Sequence, residues 1–303
     1  MTVLSHEILE NYQVRKTRKQ KNAFIQMMRQ HFPELKVQEG GFPKCRNIII
    51  GNIENAKVIL TAHYDTCAQL PFPNLITPTK PLLVILYSIL LIVPLFVTVF
   101  LLNLLLGIFT ADYWTHYWLS VVMCLGFVLL LIAGPANKHT ANDNTSGVTV
   151  LCELAKTLDA AQRAKVAFVY FDHEETGLIG SFFFRSKYKK QMKDKLLFNF
   201  DCVADGDHIL VTANKAARTD FSNALKSSFL PTKNKSILFK NAEKTYYPSD
   251  QLGFKKAVTV VALKHKKMIG HYIDRIHTSR DTIFDKANIK LICESMLNFL
   301  KQI

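Results

Sequence analysis

From Leu82 to Phe109 the chain runs for 28 residues without a charged side chain, LLVILYSILLIVPLFVTVFLLNLLLGIF. About 20 apolar residues suffice to cross the hydrocarbon core of a bilayer, so this run restricts what everything around it can be. A second uncharged run, Trp118 to Gly134, has 17 residues and lies at the lower limit for a span. Between the two and at the start of the second, Tyr113, Trp114, Tyr117 and Trp118 form an aromatic cluster suited to a membrane interface. Pro94 lies inside the first run, and Asn103 there needs a partner across the hairpin. Two spans return the chain to the side it left, so the segments before and after them are expected to share one compartment. The expected organisation is one globular domain from 1–81 and 135–303, interrupted by a transmembrane hairpin at 82–134.

Composition fits that division. Hydrophobic residues make up 49% of the chain and the mean hydropathy is +0.10, most of the excess sitting in the two runs. The net charge is +14, with basic clusters at Arg15–Lys21, Lys187–Lys195 and Lys264–Lys267. No zinc-finger, RNP-type or helix-turn-helix signature accompanies them, so no nucleic acid is expected, and anionic lipid beside the spans is the partner they suggest. Lys80 and Lys138 flank the outer ends of the runs, whereas the linker carries Asp112 and neither Lys nor Arg. By the positive-inside rule the domain is then expected in the cytoplasm, and the first residues, which lack the apolar core of a cleaved signal, agree. Six cysteines without CxxC spacing suggest neither a disulfide framework nor a thiolate zinc site, and they read as small buried hydrophobes.

Apolar residues from Ser5 to His31 follow a helical period that ends before Pro33. RNIIIGN and KVILTAHYDT read as a strand pair whose second member is central. Beyond the second span, a loop with Asp143 leads into a helix starting near Thr145 or Ser146, and KVAFVYFDHEE, KLLFNFDCVAD, HILVTA and KAVTVVALKH read as strands separated by helical segments. Such alternation predicts an α/β three-layer sandwich with a mostly parallel central sheet.

The ends of these strands carry the chemistry. FDHEETGLIGS sets Glu174 and Glu175 directly after an apolar run, and a carboxylate pair there suits a metal site, one group binding the ion while the other handles a proton. Partners are available in His63 and Asp65 of TAHYDT, Asp143 of ANDNTSG, Asp201 of NFDCVAD and His277 of RIHTSRDT. In this order the set resembles the two-zinc exopeptidases, which include secreted bacterial leucyl aminopeptidases and the peptidase domain of glutamate carboxypeptidase. The resemblance runs from about Asn47 to the C-terminus, omitting the hairpin, which that family usually lacks at this point.

The resemblance implies a single α/β domain with an eight-stranded sheet. It implies that His63 and Asp201 ligate one zinc, that Glu175 and His277 ligate the other, and that Asp143 bridges both, each ion sharing a water. Asp65 would accept the N–H of His63 and fix its tautomer, and Glu174 would be the general base. Ser249 and Asp250 of YPSDQLGF match a family segment near the substrate pocket, and Tyr246 or Tyr247 is a candidate to touch the oxyanion. The activity implied is removal of N-terminal residues from peptides, and the two apolar runs make the expected enzyme membrane-anchored. Two alternatives belong to the same fold: a one-zinc glutaminyl-cyclase-like aminoacyltransferase, and a non-catalytic receptor or scaffold. Against them stand the run Asp143 to Gly147, which follows the peptidase pattern, and an intact set of five candidate ligands and a base.

Overall fold

VILTAH and VAFVYF are buried at every position, and a strand with no solvent-facing side belongs in the middle of a sheet covered on both faces. The structure, a computed structural model, describes residues 1–303. In chain order it forms α1 (Val3–Asn11), α2 (Arg18–His31), β1 (Lys36–Gly40), β2 (Cys45–Ile50), β3 (Val58–His63), α3 (Pro81–Leu106) and α4 (Tyr113–Ala133). There follow α5 (Gly147–Thr157), α6 (Ala160–Ala164), β4 (Val166–Phe171), α7 (Ile179–Lys187), β5 (Leu196–Phe200), β6 (His208–Ala213) and α8 (Lys215–Ser228). The chain ends with β7 (Ser236–Asn241), β8 (Ala257–Lys266), β9 (Gly270–Tyr272) and α9 (Lys286–Lys301).

The sheet runs β1-β2-β4-β3-β5-β8-β6-β7, with β9 paired to the far end of β8. Strands β4, β3, β5 and β8 are mutually parallel and form its centre, while antiparallel pairings flank them. Side chains alternate between two cores: Val166, Phe168 and Tyr170 of β4 point to the face covered by α1, α2, α5, α8 and α9, and Ala167, Val169 and Phe171 to the face covered by α7. The three-layer α/β sandwich expected from the sequence is therefore present. All four parallel central strands end on one side, which is where sites form in such sheets.

Several expectations need correction, the first being the strand count, which is nine in place of the eight that the resemblance implies. β2 and β3 are not neighbours: β4 inserts between them, antiparallel to β2 (Ile48↔Tyr170) and parallel to β3 (Leu60↔Phe168). Strands adjacent in sequence need not pair, and β4, apolar on both faces, takes a partner along each edge. The N-terminal helical run is also two helices. It breaks between Asn11 and Arg18, where Thr17 caps α2 in a capping box with Gln20.

That break turns part of a basic cluster inward. Arg15 is fully buried and donates to the carbonyl of Tyr64 at 2.5 Å and to Thr145 Oγ1 at 3.1 Å. Lys21 is buried against Asp172, whose carboxylate also accepts the N–H of Arg46 (2.9 Å) and of His173 (3.0 Å). Neither cation is therefore available to a lipid surface. Removing one member of a buried pair strands the other, so Lys21→Ala is expected to cost about 3–5 kcal/mol, seen as a lower unfolding midpoint that Lys21→Arg largely restores.

Helices α3 and α4 stand away from the sheet, long and apolar enough to cross a bilayer, with Val99 their single buried residue. Asn103 finds the partners it needs across the hairpin: its Nδ2 donates to Ser120 Oγ at 3.0 Å and its Oδ1 lies 2.9 Å from His116 Nδ1. The aromatic residues expected in the linker instead begin α4, because Asp112 caps that helix by accepting the N–H of Thr115 at 2.8 Å.

Candidate metal centre

At the carboxyl ends of β3, β4 and β5, loops bring together residues from five separated stretches. The segment Ala141–Ser146 carries Asp143 and is held from both sides. Asp281 accepts the N–H groups of Asn142 (2.9 Å) and Asp143 (3.0 Å), and Asn142 Oδ1 accepts those of Ala204 (2.7 Å) and Asp205 (3.1 Å) in the loop after β5. The backbone that carries Asp143 is thus clamped on both sides. Its Oδ1 lies 3.2 Å from His63 Nε2 and its Oδ2 lies 3.0 Å from His277 Nε2, so one carboxylate faces two imidazoles through different oxygens.

Each imidazole has a further carboxylate. His63 Nε2 is 3.5 Å from Asp201 Oδ1, and His277 Nε2 is 3.2 Å from Glu175 Oε2. Two close donor groups result, His63–Asp143–Asp201 and Asp143–Glu175–His277, joined through Asp143, and Cys67 completes the second with its donor atom within 4.8 Å of the others. Glu174 approaches the first, grouping with His63 and Glu175. His173, Cys202 and His277, each a candidate ligand or next to one, have φ of 59°, 54° and 60°, a conformation that side chains with a Cβ rarely adopt and that clusters at functional sites.

Asp65 serves the site differently from expectation. His63 Nδ1 lies 3.1 Å from the backbone carbonyl of Asp65 and 3.7 Å from its carboxylate. The carboxylate accepts the N–H groups of Glu174 (3.0 Å) and Glu175 (3.2 Å), so it holds the acidic pair in position. Asp65→Asn can accept only one of these bonds and is expected to lower metal affinity or turnover about 10–100-fold, measured by metal titration beside initial rates. Ser249 is likewise a support: buried, it donates to Asp201 Oδ2 at 2.7 Å and accepts from Asn199 Nδ2 at 3.0 Å. Asp250 is buried with no hydrogen-bond partner on either oxygen. Tyr247 is buried beside Cys202, whereas Tyr246 is half exposed and its N–H bonds to Pro78.

The electrostatics describe a site short of positive charge. Burial, then the neighbouring Glu175, Asp250 and Asp201, push Glu174 well above the usual carboxylate range, against the pull of His63. Burial likewise lifts Glu175 to about 8 and Asp250 to about 7. Burial works against charge on His63, yet Glu174 and the acids around it hold its imidazole well above the ordinary value. Six carboxyl groups thus crowd around two imidazoles, with Glu175 Oε1 buried and unpartnered. Buried like charges of this kind are costly alone and suit divalent cations. The nitrogen and oxygen donors, three to each group with Asp143 shared, fit zinc with a coordination position left open.

Fold and site together define an α/β metallopeptidase-type domain. The family model described as Peptidase family M28 matches residues 122–300, and the chain belongs to that family. No curated protein matches the sequence. Among solved structures, the fold is similar to the LapA aminopeptidase of Legionella pneumophila (14% identity, TM-score 0.56, covering 99% of this chain and 68% of that one). It is similar to a Zn-dependent exopeptidase from Parabacteroides distasonis (14%, 0.58, 98% and 94%). It is also similar to the glutaminyl cyclase of Porphyromonas gingivalis (16%, 0.56, 99% and 95%). At these identities the likeness extends to the fold alone, which is that of zinc peptidases and of the cyclase alike.

The residues that pattern reading missed are Asp281, Asn142 and Cys67. Asp281 lies four positions after His277, and nothing local distinguishes it from a surface acid; its role exists only because its loop meets Asp143.

Proposed function

We propose that the chain is a membrane-anchored, two-zinc aminopeptidase. The observation that carries this reading is Asp143, with one oxygen toward His63 and the other toward His277. His63 and Asp201 would hold one zinc, Glu175 and His277 the other, and Asp143 both. Two such ions, when bound, activate water and polarise the scissile carbonyl. Glu174, beside the donor groups and anchored through its N–H to Asp65, takes the proton of the attacking water and returns it to the leaving amine. Asp65, Asp281 and Ser249 keep the donors in register so that no reorganisation is needed during turnover. Asp250, buried next to Glu174 and without a partner, would receive a cationic N-terminus.

Helices α3 and α4 would anchor the domain, and Lys80 and Lys138 at their domain-side ends favour a cytoplasmic catalytic domain. Metal analysis of the purified chain is expected to give two zincs, and a panel of aminoacyl chromogenic substrates should release free amino acids. A peptide with N-terminal glutamine belongs in the panel, because a pyroglutamyl product in place of free glutamine would indicate the cyclase chemistry instead. A reporter fused after Ile303 should be active only on the cytoplasmic side; activity on the other side would reverse the orientation.

A further inference from the structure

The membrane hairpin leaves the domain between Asp65 and Asp143, and both of its feet are stitched to the site. Ala68 pairs with Ala136, the N–H of Gln69 donates to Pro135 at 2.8 Å, and the N–H of Asn137 donates to Cys67 at 3.2 Å. On the other side the N–H of Leu70 donates to the carbonyl of His277 at 2.7 Å, and Asn137 Nδ2 donates to the carbonyl of Thr278 at 3.0 Å. Through α4 the hairpin is therefore joined to the donor loops without an intervening linker, whereas residues 71–80 lead from Leu70 to α3.

A distance follows. A Cβ on Gly134, the residue that ends α4, would lie 3.5 Å from the Cβ of Ala68. Ala68 follows Cys67, whose sulfur lies within 4.8 Å of the donor atoms of Asp143, Glu175 and His277. With consecutive Cα atoms about 3.8 Å apart, the end of α4 stands within roughly 18 Å of the site. At about 1.5 Å per residue, the 21 residues of α4 span roughly 31 Å, the thickness of a hydrocarbon core, so Gly134 marks its edge. Polar headgroups occupy about the next 5–8 Å.

Further contacts hold the domain down. The hydroxyl of Tyr87, on the second turn of α3, donates to the carbonyl of Pro73, so the loop leading to α3 descends along that helix. Lys16 Nζ donates to the carbonyl of Ile132 at 2.6 Å, and Lys80 Nζ to that of Met268 at the β8–β9 turn at 3.1 Å.

Resting on the aminopeptidase and membrane reading above, we infer that the substrates are peptides tethered to the same membrane, whose N-termini stand only a few residues above the headgroups. An extended chain reaches about 3.3–3.6 Å per residue, so a free segment of roughly four to eight residues spans the interval. Shorter tethers also raise the effective concentration of the N-terminus at the site, an advantage that declines with tether length.

The test uses the full chain, loaded with zinc and reconstituted in phosphatidylcholine–phosphatidylglycerol vesicles. Acyl-anchored peptides with one N-terminal sequence are offered with free segments of about 5, 12 and 25 residues, beside the unanchored peptide and a soluble aminoacyl anilide. The fastest release is expected from the shortest tether, by at least about tenfold over the longest. Release from the anilide and from long tethers, with none from the short tether, overturns the inference and leaves the aminopeptidase reading standing. No release from any substrate takes down both.

A second readout is independent of turnover. A fluorophore on Gln69→Cys, an exposed position while the native cysteines are buried or half-buried, is expected to be quenched by lipids carrying nitroxide at headgroup depth. Absence of quenching would lift the site away from the membrane and overturn the inference.

Discussion

Asp143→Ala is expected to reduce the zinc content from two ions per chain toward none and to lower kcat/KM by at least about 10³-fold, a loss of roughly 4 kcal/mol of transition-state stabilisation. The size of the effect follows from the double use of one side chain. Removing Glu175 or Asp201 takes one donor from one group, whereas removing Asp143 takes a donor from both and leaves His63 and His277 without the carboxylate between them. Asp143→Asn separates charge from shape: it keeps the backbone clamp to Asp281, whose bonds run to the N–H groups of residues 142 and 143. Metal content by mass spectrometry, with initial rates on the same preparation, reads both variants. Full zinc content in Asp143→Ala would show that the two groups bind metal independently, and the bridging assignment would be lost.

Glu174→Gln is expected to behave in the opposite way, retaining both zincs while losing about 10²–10⁴-fold in kcat, the usual contribution of a proton-transferring group. The amide fills the same space and still presents its backbone N–H to Asp65, but it can no longer take a proton from water. Glu174 also lies close to His63 and Glu175 as a potential ligand. Zinc content therefore decides between the roles: loss of one ion along with activity makes Glu174 a ligand, and retention of both ions with full activity removes it from the mechanism.

What could be read from the amino acids divides by range. The candidate donors that the structure brings together were legible because each ends a strand or opens a loop, and their order along the chain carries the family's pattern. Both long apolar helices were legible because an uncharged run has few alternatives. Pairing was not: RNIIIGN and KVILTAHYDT are neighbours in sequence, but β4, synthesised more than a hundred residues later, claims the space between them. β1, β7 and β9 escaped notice because they are short or half exposed and alternate weakly. Arg15 and Lys21 read as surface charge, since nothing in RKTRKQK tells which cations meet a buried carbonyl or Asp172. The supporting roles of Asp281 and Ser249 are tertiary in origin and leave no trace in local pattern.

The insertion point of the hairpin has a consequence for biogenesis. A ribosome delivers β2 and β3, with His63 and Asp65, before either apolar helix, and delivers β4, β5 and every remaining donor afterwards. Until the hairpin and the later strands have been made, the early half has no β4 to close upon and no Asp143 to share. On the reading proposed above, hydrolytic competence would thus arrive only once the strands and donors beyond the hairpin have been made.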